Sequence, residues 1–316
     1  MARTRVFFIS DVHGSNKCFR KFLNAAKFYN ANVLILGGDI TGKVMTPIVE
    51  IDGGFRCAYK GTEMVLNGGS EVEEFKKKAA ESGEYTHVIS PSDFQELEAD
   101  PAKVKELFRQ LMVERVREWV ALAEERLGKT SVKCFISPGN DDLVDVDPVL
   151  SSSSYVVNPE EKVMDIDGGH EMITLGYTNR TPWNSPREVD EDVLARKIER
   201  MTNLVRNMKS AIFNIHVPPI DTILDQAPRI GEGLKIVVRA GSVEMISAGS
   251  TACKAAIMKH QPMLGLHGHI HESRGIVKLG RTTCANPGSE YSEGILRGFL
   301  SDIDGDRIKS YILTSG

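Results

Sequence analysis

The order of elements predicts an α/β fold, and three observations carry that prediction. Apolar runs of strand length recur at Val6–Ile9, Val33–Leu36, Val132–Ile136 and Ala211–Ile215. A stretch with helical spacing, Asn16 to Tyr29, separates the first two. Each run stops at residues with chemistry to offer, and open α/β sheets place their sites at the carboxyl ends of their strands.

Taken in order, Val6–Ile9 leads into Ser10-Asp11-Val12-His13-Gly14-Ser15. In the next helix Phe19, Phe22, Leu23 and Ala26 share one stripe, and Ser15 is a good N-cap. Val33–Leu36 ends in Gly37-Gly38-Asp39. The alternation then breaks, and residues from about 43 to 129 read as an insertion. Its first half has β character, with Ile48–Ile51, a Gly53-Gly54 turn, Phe55–Lys60 and Met64–Leu66. This hairpin is expected to form a rim over the site. Its second half is a helix opened by Pro101 and closed at Gly128, with an apolar stripe suited to packing on the sheet.

Val132–Ile136 ends in Ser137-Pro138-Gly139-Asn140-Asp141-Asp142. A hairpin about Gly168-Gly169 follows, then a loop holding Arg180 and Trp183, and a charged amphipathic helix from Glu188 to Met208. Ala211–Ile215 ends in His216-Val217-Pro218-Pro219. A helix from Thr251 to His260 precedes the run Pro262–Leu266, and a hairpin turns about Asp304-Gly305 near the end. No repeat or low-complexity linker intervenes, so one domain over 1–316 is expected.

A chain of 316 residues with 41% hydrophobic and 26% charged content has the make-up of an ordinary globular protein with a large core. A formal net charge of -4 argues against a protein that coats nucleic acid. The five cysteines are odd in number and form no C-x-x-C pair, which points to reduced thiols and a cytoplasmic location. The apolar run near the N-terminus is too short for a signal peptide, and no apolar stretch is long enough to span a bilayer.

The densest chemistry lies in Leu266-His267-Gly268-His269-Ile270-His271-Glu272, where three of the eight histidines fall in seven positions. On an extended backbone His269 and His271 point to the same side. Two neutral imidazoles there suit a metal, although chance histidines in a polar loop give the same string. Asp11, His13, Asp39, Asn140 and His216 stand just past the other strand ends. If those strands share one sheet, all seven side chains meet at one edge. Carboxylate, amide oxygen and imidazole together suit Mn²⁺, Fe or Zn²⁺. Seven ligands exceed one tetrahedral zinc, whereas two metals roughly 3.5–4 Å apart, sharing a carboxylate, would use them all.

Asp11-Val12-His13, Gly38-Asp39, Gly139-Asn140, His216 before Pro218-Pro219, and Gly268-His269-Ile270-His271 resemble, in order, the motifs of calcineurin-like metallophosphoesterases. Asn286-Pro287-Gly288-Ser289 resembles a stretch that family often carries. The resemblance covers nearly the whole chain, with the 43–129 region as the variable part. It implies a four-layer α/β/β/α sandwich with an insertion after the second motif. It implies that Asp11, His13 and His271 hold a first metal, that Asp39 bridges, and that Asn140, His216 and His269 hold a second. Two divalent ions are expected, Mn²⁺ first, with Fe, Zn²⁺ and Ni²⁺ as alternatives. The implied reaction is in-line attack on phosphorus by a metal-bridging hydroxide, with Asp39, Asn140, Asp141 and His216 at the reacting centre.

One position departs from the pattern. The family's third motif usually continues with a substrate-facing histidine, and here Asp141 stands there. A carboxylate repels a phosphate dianion more than a singly charged diester, so a phosphodiesterase is expected, unless burial makes Asp141 a proton donor. A phosphomonoesterase or protein phosphatase, and a binding protein that keeps the fold without turnover, are the alternatives. The expected substrate is a small phosphate ester or nucleotide, with no membrane partner and with nucleic acid as the less favoured alternative. Asp142 is expected to orient a histidine ligand.

Other features read more plainly. Gly37 to Val44 nearly fits a P-loop, but Val44 stands where a hydroxyl must meet magnesium. His267 alternates onto the side of His269, and either lines the site or packs. His87, His170 and His260 have no motif context and read as surface or packing residues. Arg180 and Trp183 either border the site or belong to an ordinary surface loop.

Overall fold

A computed structural model describes residues 3–316. Residues 1 and 2, within the expected domain of 1–316, lie outside the described residues. Two six-stranded sheets dominate. The first runs Arg307–Ser315, Arg297–Asp304, Thr4–Ile9, Val33–Gly37, Lys133–Ser137, Val156–Val157. Its three central strands are parallel, and the C-terminal hairpin adds an antiparallel edge. The second runs Gly275–Leu279, Thr282–Asn286, Leu264–Leu266, Ile212–Ile215, Glu171–Leu175, Val163–Asp165, again with parallel strands in the middle.

The continuous apolar runs follow from burial on both faces. Alternate residues of the first sheet, Phe7, Ile9, Leu34, Leu36 and Ile136, pack against the helices Asn16–Phe28 and Pro101–Leu127. Their neighbours Val6, Phe8, Val33, Ile35 and Phe135 meet Met172, Ile212, Leu264 and Leu266 of the second sheet. The second sheet's other face carries Ile173, Phe213 and Ile215 against the helices Glu191–Thr202 and Thr251–His260. Helices therefore flank two facing sheets. Ser15 caps its helix as expected, accepting from the amide of Cys18.

Register brings the strand ends level. Ile9 pairs with Leu36 and Gly37 with Ser137, while Leu175 pairs with Ile215 and Asn214 with Leu266. The strands that carry the candidate ligands do not share one sheet. Asp11, His13, Asp39 and Asn140 follow strands of the first, and His216, His269 and His271 follow strands of the second. Convergence depends on the two sheets ending at the same edge of the molecule.

Two further expectations need correction. The helix expected from Glu188 to Met208 spans only Glu191–Thr202. Glu188 pairs instead with Thr178, and its carboxylate accepts from the amide and hydroxyl of Thr181. The insertion carries more than a hairpin and one helix. Its four-stranded sheet runs Thr62–Leu66, Gly54–Tyr59, Met45–Ile51, Tyr85–Ile89, with a small core of its own under the helix Gly69–Glu81. No helix among the described residues is long and apolar enough to cross a membrane.

Candidate metal centre

The backbone at the strand ends is bent out of its ordinary range. Asp11, His13, Asp39 and His269 have φ of 55°, 38°, 49° and 66°. Non-glycine residues rarely adopt this left-handed region, and such residues cluster at functional sites. Cross-strand hydrogen bonds hold them there. The amide of Asp11 donates to the Gly38 carbonyl at 3.0 Å, and that of His13 to the Asp39 carbonyl at 3.0 Å. The amide of His269 donates to Asp11 Oδ2 at 3.0 Å. Glycine is required beside them: a Cβ on Gly38 would lie 2.3 Å from the His216 ring, and one on Gly268 2.3 Å from Asp11 Oδ2.

All seven candidate ligands come together. Asp11, His13 and His271 form one group whose donor atoms lie within 4.8 Å of one another, and Asp39, His216 and His269 form a second. His13 Nε2 and His271 Nε2 are 3.1 Å apart, and His271 Nε2 is 3.5 Å from Asp11 Oδ1. Asp39 stands between the groups. Its Oδ2 is 3.6 Å from His13 Nε2 and its Oδ1 3.4 Å from His216 Nε2. Asn140 Oδ1 lies 2.8 Å from His269 Nδ1. His13, Asp39 and Asp141 make a third overlapping group.

Backbone carbonyls orient two of the rings. His13 Nδ1 faces the Thr41 carbonyl at 3.3 Å, and His216 Nδ1 the Gly37 carbonyl at 3.0 Å. A carbonyl only accepts, so Nδ1 carries the hydrogen and Nε2 is the nitrogen turned inward. His216 Nε2 is buried with no hydrogen-bond partner. An orphaned nitrogen facing carboxylates is costly unless something binds it. The donor set of carboxylates, an amide oxygen and imidazoles fits divalent cations of intermediate hardness.

Asp142 does not orient a histidine. It is fully buried and accepts from the amides of Ile40, Thr41 and Gly139 at 2.9, 2.8 and 2.7 Å. It ties the loop after Asp39 to the loop that carries Asn140.

Electrostatics reflect the crowding. Burial and the neighbouring Asp141 push the Asp39 carboxyl up to about 6. Burial alone would lower His216, but Asp39 and Asp11 outweigh it and raise it to about 10. Burial and the charge on His216 depress His269 to about 3.

Asp141 is not a bare charge. Lys43 Nζ lies 2.6 Å from its Oδ2, Ser185 Oγ donates to its Oδ1 at 2.5 Å, and Asn140 Nδ2 donates to the same oxygen at 2.9 Å. Burial would raise its pKa, but Lys43 holds it below the usual carboxylate range, so it is ionised and is no proton donor. Lys43 was legible only as part of a failed P-loop.

The stretch Asn286-Pro287-Gly288-Ser289 acts as a clamp. Asn286, fully buried, donates from Nδ2 to the carbonyls of Gly268 at 3.2 Å and Ile270 at 2.9 Å. Ser289 Oγ donates to the Asp11 carbonyl at 2.5 Å. These bonds hold the turns that present His269, His271 and Asp11.

His267 faces away from the site. It is buried, and its Nδ1 lies 2.8 Å from the Ile215 carbonyl. His170 is buried and satisfied, as a packing residue would be. Arg180 and Trp183 line the cleft above the cluster. That cleft, about 840 Å³, has Asp39, Asn140, Asp141, His269 and His271 in its lining. From the insertion it takes Lys43 and, on the helix Pro101–Leu127, Phe108 and Met112, whereas no residue of the Ile48–Leu66 hairpin lines it.

No protein-family model matches the chain. An uncharacterized protein of Methanocaldococcus jannaschii is 31% identical over 153 residues, 48% of this chain, and the match spans 61% of that protein's length. One solved structure aligns over 99% of both chains at 16% identity with a TM-score of 0.61. Another, from Thermus thermophilus, aligns over 100% of this chain and 99% of its own at 14% identity with a TM-score of 0.54. These two show a shared fold and nothing further. An archaeal phosphodiesterase and the phosphoesterase YfcE from E. coli also align over 98% of this chain, at 10% identity and a TM-score of 0.33, a likeness too slight to carry an argument.

Proposed function

We propose that the protein is a dinuclear metal-dependent phosphohydrolase, and within that class a phosphodiesterase. The observation that carries the reading is the placement of Asp39, whose two oxygens face His13 on one side and His216 on the other. A carboxylate between two groups of donors is what two cations sharing one ligand require. The proposed architecture is the four-layer α/β/β/α sandwich of calcineurin-like metallophosphoesterases, one domain over 1–316 with the insertion at about 43–129.

Asp11, His13, His271 and Asp39 would hold one ion, and Asp39, Asn140, His216 and His269 the other. The ions proposed are Mn²⁺ first, with Fe, Zn²⁺ or Ni²⁺ as alternatives. When bound, they supply Lewis-acid activation of a phosphoryl group and of an attacking water. The remaining work belongs to the chain. The fixed backbone turns hold the donors without reorganisation during reaction. Lys43 offers a cation at the floor of the cleft, positioned by Asp141, which Ser185 holds in turn.

The ion pair changes the basis for the diester. Asp141 is neutralised by Lys43, so its charge no longer argues strongly against a monoester, and a phosphomonoesterase is the second reading. The diester is favoured by room: a cleft of about 840 Å³ with walls from three separate segments accommodates groups on both sides of phosphorus. All seven donors converge, so nothing favours a fold retained without turnover. A cytoplasmic location is proposed from five buried, unpaired cysteines.

The test is a substrate panel on metal-free protein given Mn²⁺, Ni²⁺, Zn²⁺ or Mg²⁺. Bis-p-nitrophenyl phosphate should give a higher kcat/KM than p-nitrophenyl phosphate. Hydrolysis of neither with any metal sinks the phosphohydrolase reading, and a preference for the monoester sinks the diester.

A further inference from the structure

The cleft is polar around the candidate ligands and mostly apolar elsewhere, with Asn179, Arg180, Thr181, Glu191 and Ser247 as further polar lining residues. Over the candidate metal centre stand Ile220, Ile230, Ile236 and Ile246, with Met112 and Trp183 from two other segments. The isoleucines belong to residues 220–250, which turn back over the cleft in two short antiparallel pairings, Gln226–Pro228 with Met245–Ser247 and Val238–Arg239 with Ser242–Val243. Nothing in the sequence pattern announced this flap.

Some apolar side chains of the cleft lie open: in the flap Ile236 is 53% and Ile246 37% exposed, and outside it Trp183 is 57% exposed. Branched aliphatic groups left open beside a charged site are unfavourable in water and mark a binding surface. Ile220, Ile236 and Ile246 carry no hydrogen-bonding side-chain groups, so a nucleobase seated on them would leave ring nitrogens and carbonyls unpaired, at a cost in affinity. A hydrocarbon chain has no such groups, and about 840 Å³ far exceeds what one phosphate needs.

We propose that the substrate is an amphiphilic phosphate ester, whose phosphate sits on the floor and whose alkyl or acyl chain lies under the 220–250 flap. This inference rests on the phosphohydrolase reading and adds the substrate class to it. The continuity of one cleft from Asp39 and His269 to Ile236 and Ile246 is its basis.

Non-hydrolysable alkylphosphonates test it. Calorimetric titration of Mn²⁺-loaded protein should show decylphosphonate, below its micelle concentration, binding at least about tenfold tighter than ethylphosphonate, since each buried methylene adds to affinity. The double variant Ile236→Asp, Ile246→Asp should lose that ratio while retaining the bound metal measured by elemental analysis. Phe28→Asp, at an exposed position outside the cleft lining, should keep the ratio. Equal affinities for the two phosphonates overturn the inference, as does tighter binding of thymidine 5′-phosphonate than of decylphosphonate, or an unchanged ratio in the double variant. Bis-p-nitrophenyl phosphate is assayed on the same preparation. A tenfold chain preference without any hydrolysis overturns the phosphohydrolase reading and leaves the amphiphile site standing.

Discussion

Asp39 concentrates the chemistry of the site in one side chain. It is 2% exposed, accepts the amide of Asp141 at 3.0 Å, and faces a histidine with each oxygen. Asp39→Asn keeps the size and removes the charge between the two proposed cations. The variant is expected to fold, by circular dichroism, and to lose at least about a thousandfold in kcat/KM, roughly 4 kcal/mol. Near-normal turnover would show that Asp39 does not bridge. Lys43 is tested by contrast. Lys43→Ala removes the cation paired with Asp141 and leaves that carboxyl in the cleft with Ser185 and Asn140 as its donors. The kcat/KM on p-nitrophenyl phosphate should fall about tenfold further than on the diester, roughly 1.4 kcal/mol, because the dianion meets the freed carboxylate. Equal losses on both substrates would assign Lys43 a structural role. The ligand types were legible at this scale because each follows an apolar run of strand length, and His13, Asp39, Asn140 and His269 also stand beside a glycine. Lys43 was not, since a lysine four residues past an aspartate has no spacing rule to mark it.

At the scale of elements, the loops are held by buried polar side chains. Asn286 joins the turn of His269 to its own strand end through two carbonyls. Asn286→Ala leaves those carbonyls buried and unpaired, and should cost about 2 kcal/mol of stability together with metal affinity. Unaltered metal affinity by titration would limit Asn286 to packing. His170 links two hairpin turns across the sheets. Its Nδ1 is 2.6 Å from Asp167 Oδ2 and its Nε2 2.8 Å from the Gly305 carbonyl. Both partners only accept, so both nitrogens carry hydrogen and the ring is a cation. Burial lowers its pKa, but Asp167 outweighs that and raises it above the ordinary value. The stability it contributes is present in full below the unfolded value near 6.5 and is lost as pH rises through the raised folded value. Urea denaturation at pH 6 and pH 9 should show this loss in the native protein, and a smaller difference in His170→Ala. An identical pH dependence in the two would exclude the ion pair as its source.

Several helices were legible. Thr251–His260 lies where the sequence places it, and Pro101–Leu127 begins at its proline. The helix Gly69–Glu81 was missed, although Val72, Phe75 and Ala79 recur at helical spacing, because charged neighbours and a glycine start obscured the stripe. The 220–250 flap was illegible for a firmer reason. Its pairings are two or three residues long and the apolar side chains on its strands are largely exposed, so neither period nor burial leaves a pattern.

For the molecule as a whole, the division of ligands between two sheets is the feature that sequence pattern could not show. Motif order revealed which residues follow strands, but not that four follow one sheet and three the other. Cations bound at the proposed centre would thus cross-link the halves of the core. Saturating metal should therefore stabilise the fold, by about 2.7 kcal/mol at a hundredfold excess over Kd, seen as a rise in Tm reversed by chelator. No rise in Tm would mean that the groups do not bind metal in the folded state. The most direct measurement of the central claim is anomalous scattering at the manganese edge from crystals grown with excess Mn²⁺. The expected result is two peaks per chain, one among Asp11, His13 and His271 and one among Asn140, His216 and His269, with Asp39 between them. A single peak, or peaks away from Asp39, would contradict it.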